Sequence, residues 1–192
     1  MKSLARQIRR FGKQEDGLVM TEFLIMLPLL VWTFMALFIY WDAFRMINQA
    51  QKASYSISDL ISRQSNIDAT FVNGTQTVME YFVGNSPAIR VRITSAKYNE
   101  TTNRYTVLFS RSPGNRMPQL TNTNVNQTAF RARLPITANQ HSVVIVETEV
   151  SYTPGFEVGI PAHTFDNFIV TRPRYDRQVC YTGLSCPAVI TS

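Results

Sequence analysis

The sequence predicts an α+β fold in which one long N-terminal helix precedes an antiparallel sheet of about four strands. An apolar stretch with helical spacing fills the first third of the chain, and short runs of alternating apolar and polar residues follow it. Once the long apolar stretch is set aside, the 192 residues leave room for one modest further domain. This order of elements favours a helix laid on one face of the sheet.

Residues 1–17 form a basic leader. Five basic and two acidic residues precede Leu18, which leaves 14 basic (19 minus 5) and 11 acidic residues (13 minus 2) in the remainder. A net charge of +3 on that remainder is ordinary, so composition does not predict a nucleic-acid-binding groove and we expect no nucleic-acid partner. The five basic residues are Lys2, Arg6, Arg9, Arg10 and Lys13.

Residues 18–41 are predicted to form a transmembrane helix. The 19 residues from Phe23 to Trp41 carry no charge, and a helix of that length spans about 28 Å, the thickness of a bilayer core. Tyr40 and Trp41 lie at the far end, where amphipathic rings favour the headgroup region. The basic leader predicts a cytoplasmic N-terminus. A cleaved secretory signal is disfavoured because no small-residue cleavage site follows Trp41.

Residues 42–64 are predicted to continue the helix as an amphipathic segment. Its apolar residues recur at gaps of three and four and form one stripe. We expect the protein's own sheet to cover the stripe, and the alternative is a coiled contact with a neighbouring subunit. The stripe comprises Ala43, Met46, Ile47, Ala50, Ala53, Ile57, Leu60 and Ile61.

Residues 65–192 are predicted to form the outer α+β domain. Residues 67–84 favour a second, weaker helix, in which Gly74 is unfavourable. Alternating residues at 89–94 and 105–109 predict an antiparallel hairpin.

Two further strands are predicted at 142–152 and 165–171. Residues 112–127, which are rich in Pro, Gly, Asn and Thr, are interpreted as a long loop. Glu147 and Glu149 share one strand face, a pattern compatible with acid–base chemistry. With no partner residues near them in the sequence, we favour a solvated strand face.

The chain has two cysteines, Cys180 and Cys186. A disulfide in an oxidising compartment is the simpler interpretation, and two free buried thiols are the alternative. His141 and His163 are isolated in the sequence, so we expect no metal and no cofactor.

No motif of a known catalytic class is present. The sequence lacks a phosphate-binding glycine loop, an HExxH pair, a GxSxG elbow and a paired-cysteine zinc spacing, and we expect a protein without enzymatic activity. Arg131 with Arg133, and Arg172 with Arg174 and Arg177, could bind an anionic polymer. Scattered surface charges are the interpretation that we favour.

A carboxylate, Glu22, stands at the start of the apolar stretch, five residues after Gly17. An ionised group inside a membrane is unfavourable and usually has a partner or a function. The alternative is that Glu22 lies near the interface, where it extends to water or is protonated.

The segment GLVMTEF, residues 17–23, resembles the processing site of type IV pilin-like proteins. DGLVMTEFLIMLPLL resembles the start of TadE/TadF-like pseudopilins of the tight-adherence (Tad, or Flp) pilus system, with the TadE side favoured. VVIVETEVSYTPGF and the Arg172-Pro173-Arg174 segment are more loosely similar to the outer domain of TadE-like proteins. The matching positions in the apolar stretch are Gly17, Glu22, Phe23, Leu27 and Pro28.

The resemblance implies that a prepilin peptidase cuts after Gly17, so that Leu18 becomes the new amino terminus. It also implies that Glu22 pairs with the terminal amine of a neighbouring subunit, an interaction that is strong in low dielectric. Leu27 and Pro28 would belong to the same assembly segment, and Pro28 is expected to kink or loosen the helix.

The implied protein is a minor pilin or pseudopilin of the bacterial inner membrane, with a cytoplasmic N-terminus and a periplasmic domain. Its implied partners are the peptidase, the inner-membrane Tad assembly platform, other pseudopilins and the major pilin. One alternative is an unprocessed single-pass membrane protein whose outer domain binds a ligand or polysaccharide. A membrane-tethered hydrolase is disfavoured because no nucleophile and base are paired in the sequence.

Overall fold

A computed structural model describes residues 16–84, 89–156, 158–159 and 161–186 of the chain. The predicted α+β class is confirmed: a long apolar helix precedes an antiparallel four-stranded sheet. The described residues fall into two compact units. One comprises residues up to Ala43 together with Pro154–Pro161, and the other comprises Phe44–Thr153 and the residues from Ala162 onward.

The predicted helices and strands agree with the structure to within a few residues, and four short elements were not predicted. In chain order the elements are α1 (Asp16–Ser62), β1 (Asn66–Ile67), α2 (Ala69–Val83), β2 (Ile89–Asn99), β3 (Arg104–Arg111), α3 (Asn122–Val125), α4 (Thr128–Arg131), β4 (Ser142–Tyr152), β5 (His163–Thr171) and β6 (Cys180–Tyr181).

Helix α2 has clear start and stop signals. The Asp68 carboxylate caps its start by accepting a 2.7 Å hydrogen bond from the backbone N–H of Phe71. Gly84 follows its last residue with φ 90°, a conformation that side-chain-bearing residues avoid. Gly74 lies inside the helix, and a Cβ placed there would meet no atom within 4 Å.

The sheet has the order β3-β2-β4-β5, and all its neighbours are antiparallel. β2 and β4 are therefore the central strands. Their register places Ile93 opposite Val146, so that apolar side chains of both strands share one face. The register between β2 and β3 shifts between Ser95 and Ala96, which marks a β-bulge.

The amphipathic half of α1 covers one face of this sheet, as the stripe predicts. Ala50, Ala53, Ile57 and Ile61 are buried in a core with residues of α2, β2, β3 and β4. Leu60 departs from the prediction because 46% of it is exposed.

Small polar residues complete the contact between α1 and the sheet. Ser54 Oγ lies 2.8 Å from Thr148 Oγ1 in β4, and Ser58 Oγ is hydrogen-bonded to Thr171 Oγ1 in β5. Ser54 and Thr148 are both fully buried, so each hydroxyl needs a partner of this kind.

The predicted long loop at 112–127 is wrong in part, because this segment and its continuation to Leu134 form a layer that starts beside α2 and continues over the opposite face of the sheet. The layer begins with a 3₁₀ turn at Pro113–Asn115, which contacts α2, and the short helices α3 and α4 follow. Val125 and Leu134 anchor it by packing against Val143 and Ile145 of β4 within a second core.

The second layer also caps the outer edge of β3. The Asn126 side chain accepts a 2.9 Å hydrogen bond from the Tyr105 N–H and donates one of 2.7 Å to the Tyr105 carbonyl oxygen. Asn122 Oδ1 accepts a 2.7 Å hydrogen bond from the Val107 N–H. These side chains satisfy backbone groups that a neighbouring strand would otherwise satisfy.

The prediction of a solvated face around Glu147 and Glu149 is wrong for Glu147. Its carboxylate lies 2.7 Å from Arg92 Nε, and the two side chains are only 13% and 11% exposed. Arg92 also donates a 2.7 Å hydrogen bond to the Pro118 carbonyl oxygen. Two pairs of opposite residues in β2 and β4 carry complementary charge, namely Arg90 with Glu149 and Arg92 with Glu147. The 112–134 layer shields the Arg92–Glu147 pair from water.

Strands β1 and β6 form a short parallel pair that was not predicted. Asn66 is aligned with Cys180 and Ile67 with Tyr181. Each strand has two residues, which is too short for alternation to be detected in the sequence.

We predict that Glu147→Ala lowers the free energy of unfolding by about 3 kcal/mol, because the guanidinium of Arg92 would stay buried without its carboxylate. Denaturant unfolding of the full chain in detergent measures the change. Glu149→Ala is the matched control: the Arg90–Glu149 pair is 44% and 28% exposed, and its loss should cost less than about 1 kcal/mol. Equal effects of the two substitutions would contradict the argument.

We predict that Gly74→Ala raises the free energy of unfolding by about 0.5–1 kcal/mol, since alanine favours the helix and its methyl group meets open space. Gly84→Ala should lower it, because φ 90° at that position is strained for alanine. The same unfolding measurement distinguishes the two, and a loss of stability in Gly74→Ala would contradict the helix interior assigned to that position.

Candidate functional site

The first half of α1 is an exposed apolar surface. Among the described residues, α1 supplies one helix that is long and apolar enough to cross a bilayer, and almost none of its most apolar window is buried. A helix in the core of a soluble protein would be largely covered, whereas Phe23 and Trp41 are 60% and 72% exposed. The predicted membrane-spanning segment is therefore a helix with exposed apolar side chains, which a bilayer would remove from water.

Glu22 lies one turn inside this surface. It is exposed, and within the described part of the chain it makes no ion pair or hydrogen bond to another side chain. Residues at i, i+4, i+7 and i+11 of a helix share a face. Glu22 therefore shares a face with Met26, Leu29 and Thr33.

An apolar groove begins on that same face. It has a volume of about 360 Å³ and is lined by six residues within three turns of the helix, namely Met26, Leu29, Leu30, Thr33, Phe34 and Leu37. Thr33 is its only hydroxyl, and it donates a 2.8 Å hydrogen bond to the Leu29 carbonyl oxygen. The lining thus offers no polar group that needs a solvent partner. Such a furrow between rows of side chains has the shape that accepts the ridge of another helix.

The predicted processing site lies at the start of the described helix. Asp16 is the first described residue and is already helical, so the bond between Gly17 and Leu18 lies within the helix. Most of the predicted basic leader, residues 1–15, lies outside the described residues.

Phe23, Leu27 and Pro28 lie on the exposed part of α1. Leu27 is 46% exposed. The helix is unbroken through Pro28, although proline has no N–H to donate to the Leu24 carbonyl oxygen. Whether these positions contact another subunit stays a prediction.

Cys180 and Cys186 are at disulfide-bonding distance, with Cα atoms 5.8 Å apart. This agrees with the predicted pairing. The ring that they close lies next to β6, which pairs with β1, so the bond holds the end of the described chain near the end of α1.

The other candidate residues are dispersed. The described residues contain no cluster of three or more His, Cys, Asp or Glu side chains that could hold a metal ion. Arg174 lies 3.2 Å from Asp59, and Arg172 donates a hydrogen bond to the Ile136 carbonyl oxygen. Arg133 lies over the ring of Phe168, 3.7 Å from its centroid.

A polar cleft of about 680 Å³ lies in the outer domain, beside the β2–β3 turn. It is lined by threonine, asparagine and glutamine side chains and by two arginines, Arg104 and Arg131. The sequence interpretation treated Arg131 as a scattered surface charge and did not single out Arg104. The two are 27 positions apart (131 minus 104), so only the fold brings them together.

Sequence reasoning identified Glu22 but missed the groove beside it. The signal was present, because Glu22, Met26, Leu29 and Thr33 follow helical spacing. For the cleft, the sequence contains only a weak indication of an anion-binding surface. Residues 101–146 contain five arginines and no aspartate or glutamate.

Comparison with models of known protein families, with curated proteins and with solved structures gives no match.

Proposed function

We propose that this chain is a TadE-like pseudopilin that is anchored in the bacterial inner membrane and takes part in assembly of a Tad (Flp) pilus. A prepilin peptidase removes residues 1–17, and the protein acts without enzymatic activity of its own. Its partners are the peptidase, the inner-membrane Tad assembly platform, other pseudopilins and the major pilin. The N-terminus is cytoplasmic before processing, and the outer domain is periplasmic.

The observation that carries the proposal is the position of Glu22. The carboxylate is exposed on a helix that has no other charged residue between Phe23 and Trp41. It shares a helix face with an apolar groove of about 360 Å³. A neighbouring helix that fills the groove would bring its own end close to Glu22.

Processing supplies a partner for the Glu22 carboxylate, which has no ion pair among the described residues. Cleavage after Gly17 creates an α-amine on Leu18, four residues from Glu22. In a bundle of such helices the amine of one subunit pairs with Glu22 of the next. Because the surroundings are apolar, the interaction is much stronger than in water and an unpaired partner is strongly disfavoured. The pair thus sets the axial register between subunits, while the groove supplies the packing area.

An unprocessed single-pass protein with a ligand-binding outer domain is the second candidate. One observation favours it, namely the polar cleft that Arg104 and Arg131 line. The two candidates differ in the fate of residues 1–17, which can be measured directly.

We predict that the mature protein begins at Leu18 and has 175 residues (192 minus 17). Intact mass and N-terminal sequencing, with and without the cognate peptidase, test this. Gly17→Trp should abolish the shortening because the bulky side chain blocks the cleaved position. Gly12→Trp, in the leader but away from the bond, is the control and should be shortened normally. A native protein that keeps Met1 would reject processing and favour the second candidate.

We predict that Glu22→Gln, which keeps the shape and removes the charge, still inserts in the membrane but lowers piliation at least about tenfold, the effect of losing an interaction of 1.4 kcal/mol. Glu22→Asp should retain part of the activity. Pili are counted by electron microscopy, and insertion is measured by membrane fractionation. Glu100→Gln, the same exchange at an exposed acidic residue of the outer domain, is the control with unchanged piliation. Normal pili in Glu22→Gln would remove the electrostatic role.

A further inference from the structure

We propose that the cleft beside the β2–β3 turn binds an acidic saccharide of the uronic-acid type, with Arg104 and Arg131 holding a carboxylate. The site is separate from the apolar helix, and the inference holds whether or not residues 1–17 are removed.

The cleft has the size and the chemistry of a saccharide site. Its volume of about 680 Å³ is within the range of small-molecule sites. Side chains of Thr102, Thr106, Thr123 and Gln127 line it and are exposed. Hydroxyl and amide groups both donate and accept hydrogen bonds, as sugar hydroxyls do.

The walls of the cleft are fixed by the fold. Asn126 is bonded through its side chain to both backbone groups of Tyr105, and its Nδ2 also donates a 2.7 Å hydrogen bond to the Asn122 carbonyl oxygen. Asn122 is bonded to the N–H of Val107. Asparagine side chains that are used in this way do not have to reorganise when a ligand enters, which lowers the cost of binding.

The Arg131 guanidinium is held in place. It lies 4.7 Å from the centroid of the Tyr105 ring and 5.3 Å from that of Tyr98, and its Nη2 donates a 3.3 Å hydrogen bond to Asn103 Oδ1. Stacking on the rings satisfies the face of the planar group and leaves N–H donors on its edge. Such an edge matches the two oxygens of a carboxylate.

Within the described ranges, no acidic side chain pairs with either of these two arginines, Arg104 and Arg131. None of the ten residues that line the cleft is acidic, and Glu100 and Glu147 are the acidic residues that bound the arginine-bearing stretch in the sequence. Two positive charges in a concave surface without carboxylates attract an anion.

The remaining chemistry favours a sugar over a nucleotide or polyphosphate. The aromatic ring that lines the cleft belongs to Tyr105, and Arg131 already stacks on it, so it offers no free face to a base. Most of the other lining residues are neutral hydrogen-bonding groups, which suit a ligand with many hydroxyls and few charges.

The test is titration calorimetry of the full-length protein in detergent micelles, at about 0.15 M salt to screen weak surface attraction. The probes are short oligogalacturonates, neutral dextran oligosaccharides and short polyphosphate. We expect oligogalacturonate to bind more tightly than the other two. Arg104→Gln should lower its affinity by about tenfold to a hundredfold, the effect of losing charge-assisted hydrogen bonds.

Arg177→Gln is the matched control, because Arg177 is exposed, lies outside the cleft and carries the same charge. It should bind oligogalacturonate as the unmodified chain does. Arg104 is exposed and makes no ion pair with the described carboxylates, so Arg104→Gln is expected to fold, and its unfolding temperature checks this. Arg131→Gln should weaken binding to a similar degree.

Four results would overturn the proposal. They are the absence of oligogalacturonate binding, an equal loss in Arg104→Gln and Arg177→Gln, equal affinity for neutral dextran, and tighter binding of polyphosphate. The first two results would show that the cleft is not the binding site. The third would show that the arginines do not select the ligand, and the fourth would show that the cleft binds anions in general. None of these results bears on processing after Gly17, which is measured by mass.

Discussion

The outer domain depends on the contact between the second half of α1 and the sheet. Ala50, Ala53, Ile57 and Ile61 supply the helical side of the first core. All four of these side chains are at most 1% exposed. The Ser54–Thr148 hydrogen bond satisfies the hydroxyl groups that this contact buries. Without residues 44–62 the face of β2 and β4 that carries Ile93 and Val146 would lack much of its cover.

The same helix presents different chemistry in its two halves. The second half has one apolar face, because one side meets the sheet and the other meets water. The first half is apolar all round, and its large side chains are exposed. Between Leu18 and Trp41, Glu22 is the one carboxylate among apolar side chains, whereas polar residues are common throughout the second half. The functional interpretation of Glu22 depends on this difference between the two halves and on the groove beside it.

Sequence periodicity predicted the elements that are long enough to repeat. α1, α2 and the strands β2, β4 and β5 each contain several periods of apolar residues. The 112–134 layer was missed because its anchors, Val125 and Leu134, are isolated among Pro, Asn and Thr residues. Because the layer was not predicted, the Glu147 side chain was expected to be exposed to water.

Contacts between distant parts of the chain were less accessible to sequence reasoning. The register of β2 against β4 pairs Arg92 with Glu147 across 55 positions, and no local pattern specifies that register. The Arg104–Arg131 cleft depends in the same way on where the second layer folds back. Glu22 could be found from the sequence because its environment, the apolar helix, is local.

The capping of β3 by Asn122 and Asn126 makes the two borders of the sheet unequal. At Tyr105 and Val107 the outward backbone groups are already occupied, whereas β5, at the other border, pairs only with β4 among the described strands. An edge whose backbone groups are already bonded is a poor template for another strand. The capping of β3 therefore removes one of the two borders through which this sheet could pair with another chain.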